Sequence, residues 1–162
     1  YRDTLTITDG AIEKAKEEIR RGLPIITDTT MAASGINKTA AGKFGIEVHC
    51  FIGDEDVKAK AKESGMTRSA VSVEKAAGCY PECIYAVGNA PTALMRLYEL
   101  IEEKKIRPAL IIGVPVGFVN VVEAKELILR TDVPAIVARG RKGGSNIAAA
   151  ICNALMYEAG GR

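Results

Sequence analysis

Short apolar runs alternate along this chain with longer amphipathic stretches. The runs at 24–27, 46–52, 83–87, 109–113 and 134–138 are nearly continuous in apolar residues and lack the two-residue rhythm of a half-exposed strand. They predict strands buried on both faces, as parallel strands are. Between them apolar positions recur at three- and four-residue spacing, which predicts helices. The first spans 9–21, with Ala11, Ile12, Ala15 and Ile19 on one face, a cap at Thr8 or Asp9 and an end at Gly22. A short helix through Met31, Ala32 and Ala33 stops near Gly35. A charged helix covers 54–63, capped by Asp54, and Gly65-Met66-Thr67 opens another over 68–77. Residues 91–104 form a long amphipathic helix with Pro91 in its first turn, where the missing N–H costs nothing. Helices at 120–129 and 145–158 complete the set, the last one Ala-rich and ending at Gly160-Gly161.

Strands alternating with helices predict a single-domain three-layer α/β/α fold over residues 1–162, with a mostly parallel, doubly wound sheet of about five strands. No repeat, low-complexity segment or linker divides it. A net charge of +2 gives no general field for nucleic acid. No apolar run approaches the roughly 20 residues that span a bilayer. No signal-peptide pattern opens the chain, and a reducing cytoplasm is the expected compartment. Tyr1 stands where an initiator Met is usual, so a trimmed N-terminus is expected. Cys50, Cys83 and Cys152 lie in apolar patterns as small hydrophobes. Cys79 and Cys83 are spaced as two metal ligands could be, but no second pair completes a tetrahedral site, and no metal site is expected.

In open parallel sheets ligands bind beyond the carboxyl ends of the strands, where the loops here start at Asp28, Gly53, Gly88, Gly113 and Arg139. Three of these loops are Gly-rich: Val87-Gly88-Asn89-Ala90-Pro91-Thr92-Ala93, Gly113-Val114-Pro115-Val116-Gly117-Phe118-Val119 and Arg139-Gly140-Arg141-Lys142-Gly143-Gly144-Ser145. Glycines allow backbone N–H groups to approach a ligand, and the following helix N-terminus favours an anion. None of the three has the spacing of a standard nucleotide motif. Thr67-Arg68-Ser69 brings two hydroxyls and a guanidinium to another helix start, either as an anion site or as a plain cap. His49, the only histidine, sits inside an apolar strand and reads as a structural residue. Charged helix faces read as solvated, and Asp28, ending a strand at the ligand edge, is the exception among the carboxylates.

These segments, in this order, resemble the precorrin-8X methylmutase family of the cobalamin pathway. Residues 24–31, ending Thr27-Asp28-Thr29-Thr30-Met31, are similar to that family's strand closing in T-D-x-x-M. Thr67-Arg68-Ser69 is similar to its T-R-S helix start, the Gly88 and Gly113 loops to its two most distinctive loops, and the turn at 139–145 to its R-G-x-x-G-G-S. The resemblance implies an isomerase that moves a methyl group from C11 to C12 of precorrin-8 or its cobalt complex, giving hydrogenobyrinate or cobyrinate. It implies no cofactor and no methyl donor, a corrinoid substrate, and a homodimer with no nucleic-acid or membrane partner. By the same resemblance Asp28, Met31, Thr67, Arg68, Ser69, Asn89, Ala90, Gly117, Phe118, Arg139, Arg141, Gly144 and Ser145 bind substrate. The arginines and helix starts take its rim carboxylates, and Met31, Val114, Val116 and Phe118 wall its flat face. The family's proton-donating histidine is expected before the position matching Leu5, so no catalytic residue is expected within this chain. A non-catalytic corrinoid binder, or an unrelated α/β enzyme acting on a phosphorylated metabolite, are the alternatives.

Overall fold

A computed structural model of the chain describes residues 5–117 and 119–160. Among them six strands form one sheet: β1 (Leu5–Ile7), β2 (Ile25–Thr27), β3 (Val48–Cys50), β4 (Ile84–Val87), β5 (Leu110–Gly113) and β6 (Ala135–Ala138). The spatial order is β1-β6-β5-β4-β2-β3, parallel from β6 to β3. β1 runs antiparallel against β6, with Leu5 opposite Ala138 and Ile7 opposite Ile136. After β3 the chain crosses over β2 to place β4 on its other side. The winding direction therefore reverses between β2 and β4, which makes that gap the topological switch point.

Successive strand residues point to opposite faces, and here both faces are covered. Ile26, Tyr85, Val87, Ile111, Ala135 and Val137 pack into the layer formed by α4 (Glu55–Ser64), α5 (Arg68–Cys79), α6 (Pro91–Glu102) and α7 (Val121–Leu129). Their alternates Ile25, Ile84, Ala86, Leu110, Ile112, Ile136 and Ala138 pack against α1 (Ala11–Arg20), α2 (Thr30–Gly35), α3 (Lys38–Phe44) and α8 (Ser145–Ala159). Two apolar layers explain why the strands read as unbroken apolar runs, and the three-layer α/β/α architecture expected from the sequence is present.

The structure corrects several details. The sheet has six strands among the described residues, where about five were expected from the element count. β1 escapes the pattern because it is three residues long and leaves Ile7 exposed, pairing on one side only. α3 was also unforeseen; it is seven residues long, contains Gly42, and is capped by Asn37, whose side chain accepts from Ala40 N at 2.9 Å. Neither Thr8 nor Asp9 caps α1: Gly10 holds that position without a side-chain bond. Asp54 holds the N-cap position of α4 as expected, but its side chain makes no capping bond and its carboxylate is engaged by Lys75 Nζ at 2.7 Å. Glu18 lies on the packed face of α1, not a solvated one, and is held by Lys14 at 3.3 Å and Arg21 at 2.9 Å.

The cysteines do not converge. Cys79 is exposed at the end of α5 and Cys50 is half-buried. Cys83 and Cys152 are core residues whose thiols are pushed up by burial to about 12, which removes their reactivity.

Thr8 ties the end of β1 to β6: its N–H donates to the Ala135 carbonyl at 3.0 Å, and its hydroxyl accepts from Ala135 N at 2.9 Å. Replacing Thr8 with the isosteric valine strips the Ala135 N–H of that acceptor, and chemical denaturation should register a loss of about 1–3 kcal/mol.

Candidate functional site

At the switch point, β2 ends in Asp28 and β4 ends in the Gly88 loop. Asp28 is 2% exposed. Its Oδ1 accepts from Gly88 N at 2.8 Å, and its Oδ2 accepts from Asn89 N at 2.9 Å and Ala90 N at 2.8 Å. Burial pushes the carboxyl above the usual carboxylate value, and the three N–H donors pull it part of the way back. Charge-assisted bonds of this kind contribute roughly 1.5–3 kcal/mol each, so the three recover much, but not all, of the several kcal/mol that desolvating a carboxylate costs. α6 begins directly after this loop with Pro91 in its first turn and no side-chain cap. Asp28 thus serves as the anion at the N-terminus of α6.

The turn from β6 back to α8 crosses the ends of β5 and β4. Gly144 N donates to the Val114 carbonyl at 2.8 Å, and Gly117 N to the Arg141 carbonyl at 3.4 Å. Gly143 has φ +155 and lies so close to Val114 that a Cβ there would overlap its carbonyl. Gly88 is similarly constrained by proximity: a Cβ would come within 2.6 Å of Ser145 Cα and 2.8 Å of its nitrogen. Ser145 then places its hydroxyl 2.8 Å from that of Thr29, which caps α2 by accepting from Ala32 N at 3.0 Å. Three loops and two helix starts are so knitted into one shelf. α5 joins its rim: Thr67 caps that helix through Ala70 N at 3.1 Å and donates to the Thr92 hydroxyl of α6 at 3.3 Å.

The expected site residues therefore gather at one edge, in unequal roles. The N–H groups of Asn89 and Ala90 and the carboxylate of Asp28 are spent on one another. The Ser145 hydroxyl is engaged by Thr29 and the Thr67 hydroxyl by its cap. Arg68 is exposed and forms no ion pair among the described residues, with Ser69 half-buried beside it. Arg139 is exposed and paired with Glu126 at 2.6 Å. Such a surface pair is worth about 0–1 kcal/mol, so an incoming carboxylate can replace it. Arg141 is exposed on the turn. Met31, Val116 and Val119 stand exposed around the shelf, at 63%, 45% and 79%. Val114 cannot wall a ligand as expected: its backbone continues the β5 ladder through Val87, and its side chain is buried among α1 and α8. Phe118 lies outside the described residues.

His49 stacks on Tyr80 at 4.7 Å between ring centroids and bonds Glu47 at 2.8 Å. Tyr80 lies in the connection into β4, at the amino end of the strands. Shallow clefts of about 320, 370 and 290 Å³ are lined from α3 and α8, from α5 and α6, and from the connections around Tyr80. None of the three includes the shelf, which is open.

One residue of this region was missed in the sequence. Lys125 of α7 is fully buried, and its Nζ donates to the carbonyls of Gly140 at 2.9 Å and Lys142 at 2.8 Å. It forms no ion pair among the described residues, and burial lowers its ammonium from the ordinary 10.5 to about 8. The signal was available: Lys125 shares the packed face of α7 with Val121, Ala124 and Ile128, where a charge demands a partner.

Residues 1–158 match the family described as precorrin-8X methylmutase. The cobalt-precorrin-8 methylmutase of Leptospira interrogans is 43% identical over 164 residues, covering 96% of this chain and 74% of that protein. Its counterpart in Salmonella typhimurium is 45% identical, covering 96% and 72%. The crystal structure of precorrin-8x methyl mutase from Thermus thermophilus superposes with a TM-score of 0.92 at 37% identity, over 99% of this chain and 79% of that one.

Two outcomes follow from this geometry. Asp28→Asn keeps the shape but turns an amide N–H₂ toward backbone donors; stability should fall by about 2 kcal/mol or more, read by denaturant titration. Lys125 binds its proton less tightly in the fold than in the unfolded chain. Between pH 8 and 10.5 the unfolded state therefore holds more protons, and native stability rises with pH. Melting temperatures taken side by side across that window should climb for the parent protein relative to Lys125→Met.

Proposed function

Since this chain belongs to the precorrin-8X methylmutase family, we propose that its shelf binds precorrin-8, with or without cobalt, and isomerises it by moving a methyl group from C11 to C12. The reaction is intramolecular: one C–CH₃ bond breaks at C11 as another forms at C12, so the protein must bind, orient and assist protonation of the macrocycle. The observation that carries the binding role is the company of exposed apolar side chains, Met31, Val116 and Val119, with cationic and helix-start groups around one open edge. A flat apolar ring system rimmed by carboxylates needs that combination. Arg68 and Ser69 at the start of α5, and Arg139 and Arg141 on the turn before α8, take the rim carboxylates, while Gly144, its N–H spent on the Val114 carbonyl, only shapes that turn. Asn89, Ala90 and Gly117 shape the pocket through their backbone, and Asp28 acts by holding that of Asn89 and Ala90. None of these residues is assigned the proton transfer.

The reading extends to a homodimer. An open shelf with three exposed apolar side chains leaves one face of a bound macrocycle to be covered, and a second copy is suited to do so. The proposed compartment is the cytoplasm, with four free thiols in keeping with a reducing medium.

Titration with hydrogenobyrinate tests the reading. The visible absorbance of the macrocycle should shift and saturate at stoichiometric ratio, and Arg68→Ala should weaken the affinity several-fold. Absence of any shift overturns the corrinoid assignment. Incubation with precorrin-8 then separates binding from turnover: appearance of the hydrogenobyrinate spectrum supports isomerisation by this chain, and tight binding without conversion agrees with a proton donor supplied from outside the residues of the shelf.

A further inference from the structure

The turn between β6 and α8 carries glycines at positive φ at 140, 143 and 144, so it has little rigidity of its own. Its carbonyls are nonetheless fixed. Gly140 and Lys142 accept from Lys125 Nζ at 2.9 and 2.8 Å, and Arg141 accepts from Gly117 N. Three successive carbonyls are thereby drawn toward the protein. The N–H groups of Gly140, Lys142 and Gly143 donate to no protein acceptor among the described residues. A turn whose acceptors are satisfied from within and whose donors are left over is an anion receptor by construction. The group that imposes this asymmetry is a fully buried ammonium on a neighbouring helix.

We propose that Lys125 is a positioning residue: by holding the Gly140 and Lys142 carbonyls it fixes the basic turn in the form that grips a carboxylate of the substrate, and it places a buried positive charge beneath that grip. The assignment rests on the corrinoid reading of the shelf and deepens it. Two features distinguish Lys125 from an ordinary buried lysine. No carboxylate pairs with it among the described residues, although the half-buried Glu126 lies one residue away and is turned to Arg139 instead. Moreover, both its acceptors lie within one turn and on no other element. A lysine whose work was only to fill the core would be better replaced by methionine, which has a similar length and no desolvation cost. The anionic ligand supplies the compensating charge that the protein withholds.

The test is a double-mutant cycle read by the affinity for hydrogenobyrinate. Lys125→Met should weaken binding by about tenfold, equivalent to about 1.4 kcal/mol. Lys125→Met and Arg141→Ala act on the same turn, so the double variant should bind hardly worse than the weaker single one. Lys125→Met with Arg68→Ala, on a different helix start, should be additive. A structural role confined to general stability would move both cycles alike. Lys125→Arg, which keeps charge and donors, should recover part of the lost affinity. If Lys125→Met does not fold, Lys125→Gln carries the same two cycles. Equal affinity of parent and Lys125 variants, or additive behaviour with Arg141→Ala, overturns the proposal while leaving the corrinoid reading intact. Failure of the parent protein to bind hydrogenobyrinate overturns both.

Discussion

The carboxylate of Asp28 is the point on which the ligand edge depends. At the switch point of a doubly wound sheet, the chains leaving two adjacent strands diverge to opposite faces and leave a crevice. The backbone entering α6 is buried there at Gly88 and Ala90, and no local side-chain cap satisfies its donors. Buried backbone donors left unpaired are costly enough to remodel a loop. Three bonds from one buried carboxylate remove that cost and fix the loop. Only with Gly88 held in this place can the start of α8 approach within contact of it, and only then does Ser145 reach Thr29 across the crevice.

The two main helix starts of the shelf are consequently prepared in opposite ways. The N-terminus of α6 is closed by an anion of the protein's own. The turn leading into α8 is held by a cation of the protein's own, which takes up its carbonyls and leaves its amides. An external anion finds the first position occupied and the second poised. This division could not follow from the loops as glycine patterns, since both are glycine-rich and both precede helices. It follows from two charged side chains, one at the end of β2 and one on α7, far from each other in sequence.

What could be read in the sequence follows from how local each signal is. Strands buried on both faces appear as apolar runs, so β2, β4, β5 and β6 were legible, and β3 was placed as well although its residues are only half-buried at the end of the sheet. β1 was not, because three half-exposed residues in an edge ladder leave no periodic trace. Thr67 as a cap was legible from its place before α5, since capping is settled within three residues. Asp28 was recognised as exceptional by its position, but its partners lie sixty and more residues away, so its employment as a loop anchor was hidden. Lys125 was obscured by the opposite error: helical charges are solvated often enough that one on a packed face passes unnoticed. The same holds for Glu18 on α1. Long-range electrostatic partnerships are the part of this fold that periodicity does not encode.

The open shelf also fits the demands of the proposed chemistry. Moving a methyl group between adjacent carbons of one ring system needs no second substrate, so rate comes from holding the macrocycle in one orientation while it is protonated. Orientation of a large flat ligand is fixed most cheaply at its perimeter, where carboxylates lie farthest apart and small displacements are resisted with the greatest leverage. The cationic groups of this edge lie on separate elements, at the start of α5 and on the turn before α8. Individually they are weak, as exposed charges in water must be, at about 0–1 kcal/mol for a pair. Their value is in number and in fixed backbone geometry. A rigid turn held from below by Lys125, against a loop held by Asp28, supplies the rigidity that solvent-exposed arginines lack on their own.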